Sequence, residues 1–184
     1  TSPTITLSET EFVYDDSAKT PSVTVKDGET VIPESEYAIA YTDNTAAGTA
    51  KVTITDNEGG NYVVSDTDAE FTIAPKTLET PIVLLSETEY VYNGTDKKPI
   101  VTVKDGDTEI LGTEYSVNYA NNVNAGTATV TITNIDGGNY VVNDTSVYFS
   151  IIRRPFTNLS LEVSGTDFVY DGTAQTPSVT VKKG

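Results

Sequence analysis

Apolar and polar residues alternate with a period of two along most of the chain. Residues 126–142 show the pattern best: G-T-A-T-V-T-I-T-N-I-D-G-G-N-Y-V-V. Ala128, Val130 and Ile132 point one way and Thr129, Thr131 and Thr133 the other, which predicts a strand with one buried face. A Gly-Gly turn follows, then a Tyr leading a second apolar run. Residues 48–64 repeat this as G-T-A-K-V-T-I-T-D-N-E-G-G-N-Y-V-V. The same alternation predicts further strands. Residues 11–14 (E-F-V-Y) open one. After Pro21, Val23 and Val25 face inward, and Pro suits a strand start because its missing donor does no harm there. Asp27-Gly28 signals a two-residue hairpin leading into residues 29–32. Tyr37, Ile39 and Tyr41 alternate in the next strand. Ala69, Phe71 and Ile73 alternate in the last, against Glu70 and Thr72. No segment combines a helical period with helix-forming residues.

The pattern recurs as a strict internal repeat. Tyr14, Tyr92 and Tyr170 are 78 residues apart (92 − 14 and 170 − 92), and the same offset links Pro21, Pro99 and Pro177 and also Gly28, Gly106 and Gly184. It joins Tyr41 to Tyr119, Gly48 to Gly126 and Phe71 to Phe149 without insertion or deletion. A period this regular predicts duplicated folding units: residues 1–78, residues 79–156, and a partial third unit at 157–184 holding the first two strands only. Two strands cannot build a core alone. Pro75, Pro81 and Pro155 favour extended, semi-rigid joints. The expected core is Val25, Val52, Ile54 and Phe71 with their counterparts Val103, Val130, Ile132 and Phe149, while Lys26 and Lys104 turn outward.

Composition narrows the chemistry. The 184 residues carry a net charge of −16, a balance that argues against nucleic acid and anionic membrane surfaces as partners. The absence of Cys and His removes disulfides, thiol nucleophiles, His-based triads and the usual zinc sites. A hydrophobic content of 37% suits small, thin β cores. No apolar run approaches the roughly 20 residues of a membrane-spanning helix, and no signal peptide is visible. The chain begins Thr-Ser-Pro without Met, which reads as a piece of a longer protein.

Two constellations stand out. Asp136 lies four residues before Tyr140 and Val142 two after it. Glu58, Tyr62 and Val64 repeat the spacing. This is the spacing of an immunoglobulin-type tyrosine corner, in which the phenol hydroxyl bonds to backbone near the acidic residue. The competing reading is a plain strand-turn-strand with a half-buried Tyr. The second constellation is Tyr41 with Asn44, and Tyr119 with Asn121, Asn122 and Asn124, where Tyr-Asn surfaces can grip glycans or proteins. Against it, Asn commonly shapes turns. The acids at Asp56, Glu58, Asp66 and Asp68 could hold calcium, but they fit no EF-hand pattern and read as solvated surface. No cleft is signalled for carboxylate catalysis, so neither enzyme activity nor a cofactor is expected. Lys26, Lys104 and Lys182 read as solvated strand-end residues rather than crosslinking lysines.

Three stretches carry a family likeness: F-V-Y-D-G-T-A-Q-T-P-S-V-T-V-K at residues 168–182, the Y-x-V-x-Y-x-N-N-x-N-A-G-T-A-T-V-T-I run at 115–132, and G-N-Y. They resemble bacterial immunoglobulin-like tandem repeats of the MBG or YDG type, found in large secreted and cell-surface proteins. The likeness spans essentially the whole chain. It implies all-β immunoglobulin-like sandwich modules of an extracellular, non-catalytic protein. The short Pro-bearing linkers and the like charge of the modules imply a monomer whose units lie end to end and contact only neighbouring repeats. Their role would be a stalk or spacer, with an adhesin module binding glycan or protein as the alternative. The Y-V-V-S-D and Y-V-V-N-D stretches depart from the family, where a Gly often follows the Tyr. A different small all-β or β-grasp-like module is the alternative fold, because a tight hairpin after the second strand keeps neighbours in one sheet. The sandwich is preferred because a β-grasp needs a helix.

Overall fold

The computed structural model describes residues 3–65, 67–143 and 145–183. Asp66, one of the acids weighed for calcium, and Gly184, the last member of the repeat register, lie outside them. The fold is all-β. Among the described residues the only helical turn is a 3-10 turn at Glu34–Glu36, and no helix is long and apolar enough to cross a membrane.

The first repeat contributes β1 (Thr4–Leu7), β2 (Glu11–Val13), β3 (Val23–Asp27), β4 (Thr30–Val31), β5 (Tyr37–Thr42), β6 (Gly48–Asp56) and β7 (Thr67–Ala74). They form two sheets, of order β1-β3-β4 and β2-β7-β6-β5. All pairs are antiparallel except β2 with β7, which is parallel. The inward face of each strand is the one its alternation marks. Val23 and Val25 from β3 meet Ala50, Val52 and Ile54 from β6 and Phe71 and Ile73 from β7 in one buried cluster. Two sheets facing each other across such a cluster make a β-sandwich-like arrangement.

A short strand, β8 (Lys76–Leu78), follows. The pattern then recurs as β9 (Ile82–Leu85), β10 (Glu89–Val91), β11 (Val101–Asp105), β12 (Thr108–Ile110), β13 (Tyr115–Ala120), β14 (Gly126–Asn134), β15 (Tyr140–Val142) and β16 (Thr145–Ile152). The sheets are β12-β11-β9 and β10-β16-β14-β13, with β15 paired to β8. Val103, Ala128, Val130, Ile132, Phe149 and Ile151 fill the second core. All eight residues expected in the cores are thus buried. Finally β17 (Leu159–Val163) and β18 (Val179–Lys183) form a separate antiparallel pair.

The hairpin after β3 explains how a tight turn coexists with two sheets. Asp27 pairs with Thr30, so the loop residues are Gly28 and Glu29, one position later than the Asp-Gly signal places them. Gly28 holds φ at 59°, which the first central residue of a type II′ turn requires. The residues after the turn form a short extra strand, β4, in the same sheet. The chain then crosses through the 3-10 turn to β5 in the opposite sheet.

Two expectations need correction. Lys26 and Lys104 are half-buried rather than exposed. Each stands on the central strand of its sheet, flanked by Thr4 and Val31 or by Ile82 and Glu109, and these neighbours cover its aliphatic stem. Among the described residues the buried lysine is Lys97, whose ammonium donates to Asn93 Oδ1 and, at 2.7 Å, to the Thr95 carbonyl. The alternation does not mark strands β1, β8, β9 and β17, and residues 168–170, expected as the first strand of the third unit, form none.

Candidate functional site: the joint between the sequence repeats

The site begins at the Gly-Gly turn after β14. Gly137 takes φ 79°, and a Cβ on Gly138 would stand 3.1 Å from Glu114 Oε2. The positive φ of Gly137 and the missing side chain of Gly138 let the backbone wrap around the Glu114 carboxylate. That carboxylate accepts the Asn139 backbone N–H at 2.8 Å and its side-chain amide at 3.1 Å. Val142 N–H donates to Asn134 Oδ1 at 3.1 Å. These bonds hold Asn139 and Tyr140 out toward the first repeat.

The first repeat builds the same turn. Glu36, 6% exposed, accepts the Asn61 N–H at 2.5 Å, the Asn61 side-chain amide at 3.2 Å and the Tyr62 N–H at 3.1 Å. Burial acts to raise the Glu36 pKa. The donors from Asn61 and Tyr62 outweigh it and hold the carboxyl below its ordinary value. A Cβ on Gly60 would overlap Glu36 Oε2.

Tyr140 then joins the repeats. Its ring packs against both cores and meets the Tyr14 ring edge-on, with centroids 5.3 Å apart. Asn139 Oδ1 accepts the Ala47 N–H at 2.8 Å, and the Asn139 carbonyl accepts the Lys76 N–H at 2.9 Å. Strand β8 runs parallel to β15, and Lys76 pairs with Asp105 at 2.5 Å. Leu78 ends the first sequence repeat yet is buried in the second core. Burial and the hydrogen bond to Asp16, at 3.1 Å, push the Tyr14 phenol up to about 12. Burial likewise raises that of Tyr140. The arrangement positions backbone and side chains across a joint. It brings together no nucleophile and base.

The tyrosine-corner residues are arranged differently from expectation. Among the described residues neither the Tyr62 nor the Tyr140 hydroxyl makes a hydrogen bond, and Glu58 and Asp136 are exposed in their turns. The backbone bonds expected of these phenols are therefore absent among the described residues. The acids that organise the turns are Glu36 and Glu114, each 26 residues before the Tyr (62 − 36 and 140 − 114). An E-Y dipeptide at the same offset in both repeats was the available signal.

The Tyr-Asn loops are stitched internally. Tyr41 donates to the Pro21 carbonyl and Tyr119 to the Pro99 carbonyl, each at 2.6 Å. Asn44 and Asn122 donate to the Lys19 and Lys97 carbonyls at 2.9 Å, and their own carbonyls accept the N–H of the same lysines. Asn121 takes φ 55°, a turn conformation that Asn tolerates. Asn124 is exposed and lines a cavity of about 550 Å3 with Tyr92, Ala125, Arg154 and Phe156. Of the acids weighed for calcium, Asp56 accepts the Val64 N–H at 2.8 Å and Asp68 pairs with Lys51 at 2.5 Å. Among the described residues no group of three or more carboxylates could hold a metal ion.

Comparison with protein-family models and with curated proteins finds no match for this chain.

Proposed function

We propose that the chain is a non-catalytic spacer or stalk segment of a bacterial extracellular or cell-surface protein, built of immunoglobulin-like sandwich repeats set end to end. The observation that carries this reading is the joint. Tyr140 packs on both cores while β8 and β15 pair across it, and such contacts fix the orientation of successive units. A spacer needs that property, because free linkers transmit neither reach nor direction. The immunoglobulin-like assignment is supported by a three-stranded sheet facing a four-stranded one, with the first segment of each repeat divided between them. The Tyr41 and Tyr119 hydroxyls and the Asn44 and Asn122 amides are committed inside their own loops, which favours a spacer over an adhesin surface.

Small-angle scattering tests the proposal. The expected result is an elongated monomer whose profile does not change on adding calcium. A compact globular profile would overturn the spacer reading.

A further inference from the structure

Leu78 shows how one repeat is attached to the next. It ends the first repeat in sequence, yet it is 1% exposed and packs in the second core together with Ile110 and Val142. Its strand, β8, runs parallel to β15. The 78-residue offset carries Ile110 to Ile32, Tyr140 to Tyr62 and Val142 to Val64. In the first repeat these residues line a cleft of about 60 Å3 with Pro3, Asp27 and Val63. Among the described residues no strand pairs with residues 62–64. Val63 is 91% exposed, whereas its counterpart Val141 is half-buried within β15.

We propose that this cleft is a strand-acceptor site for the linker of another repeat. Its ligand is an extended segment with the chemistry of Lys76-Thr77-Leu78. The segment adds parallel to residues 62–64 and brings its Leu to the cleft beside Ile32 and Val64, which are themselves only 3% and 5% exposed. Recognition is by strand addition: main-chain pairing supplies affinity, and one apolar seat sets the register. The choice of occupant follows from continuity with the second repeat, where the equivalent residues already hold such a segment. The acceptor edge is also prepared in advance. Glu36 holds the Tyr62 N–H and Asp56 holds the Val64 N–H, as Asn134 holds that of Val142. An edge fixed beforehand loses less conformational freedom when a strand arrives. The joint then contains a swap of material: each repeat completes its fold with a strand that the sequence assigns to its neighbour. This inference rests on the β8 geometry and not on the spacer role.

The test extends the whole chain by Ala-Pro-Lys-Thr-Leu placed directly before Thr1, so that the added Leu falls 78 residues before Leu78. A second extension ends in Asp instead of Leu. The change lies outside the folded units, so loss of folding cannot imitate loss of binding. Amide exchange is read at Tyr62, Val63 and Val64. The Leu extension is expected to slow exchange of Val63 by at least about tenfold, as for a newly paired strand edge, and the Asp extension to leave it unchanged. Equal behaviour of the two extensions would overturn the proposal. So would protection of these amides in the unextended chain that grows with protein concentration and is lost in Phe156→Ser. That result would give the cleft to a second copy, through the exposed counterpart of Leu78.

Discussion

Glu36 and Gly60 illustrate how much of this fold depends on one carboxylate. Glu36 lies almost fully buried and accepts three N–H donors, and a Cβ on Gly60 would run into it. The donors hold its carboxyl below the ordinary value of 4.5. The unfolded chain therefore takes up the proton first as pH falls. The stabilisation is complete above pH 4.5 and is lost as pH drops toward the native value. Glu36→Gln should lower the urea midpoint at pH 6, and the gap to the parent chain should narrow as the pH falls below 4.5. A gap that stays constant as the pH falls would mean that charge is not what the turn uses. The tyrosine-corner spacing points to an acid four residues before the Tyr and so leaves Glu36 unmarked. A contact spanning 26 positions leaves no local spacing to recognise.

At the scale of single elements, strands with one buried face were legible and edge elements were not. Strands β6 and β14 alternate over nine residues and lie at the centre of their four-stranded sheets, where packing and pattern agree. Strand β8 has three residues and shows no alternation, and only its partner β15 makes it a strand. In the first repeat the same Y-V-V residues form no strand among the described residues, so pairing rather than propensity decides the matter. Strand β16 supplies the energetic test of register. Phe149 is 2% exposed and its ring meets Tyr90 edge-on, with centroids 5.5 Å apart. Phe149→Ala should cost about 3–5 kcal/mol in chemical denaturation. An unchanged midpoint would contradict the facing of the two sheets.

For the whole molecule the question is whether the two cores unfold together, and Tyr140 decides it. The stability of units in contact is approximately a sum of unit terms and nearest-neighbour terms. Tyr140 belongs to the neighbour term, since its ring touches both cores and the Tyr14 ring. Its hydroxyl makes no hydrogen bond among the described residues, which separates two effects that usually travel together. Tyr140→Phe keeps the ring and should leave both stability and coupling unchanged. Tyr140→Ala removes a half-buried aromatic, with an expected loss of about 2 kcal/mol from apolar area alone. The loss should fall on the link as well as on the second core. Calorimetry should then show the two units melting farther apart in the Ala variant than in the parent chain. A Phe variant that loses about 1 kcal/mol would restore the hydroxyl to a structural role, since that is the usual worth of one hydrogen bond. An Ala variant that only shifts one transition, with no added separation, would show that β8 and the Asn139 bonds carry the coupling without the ring.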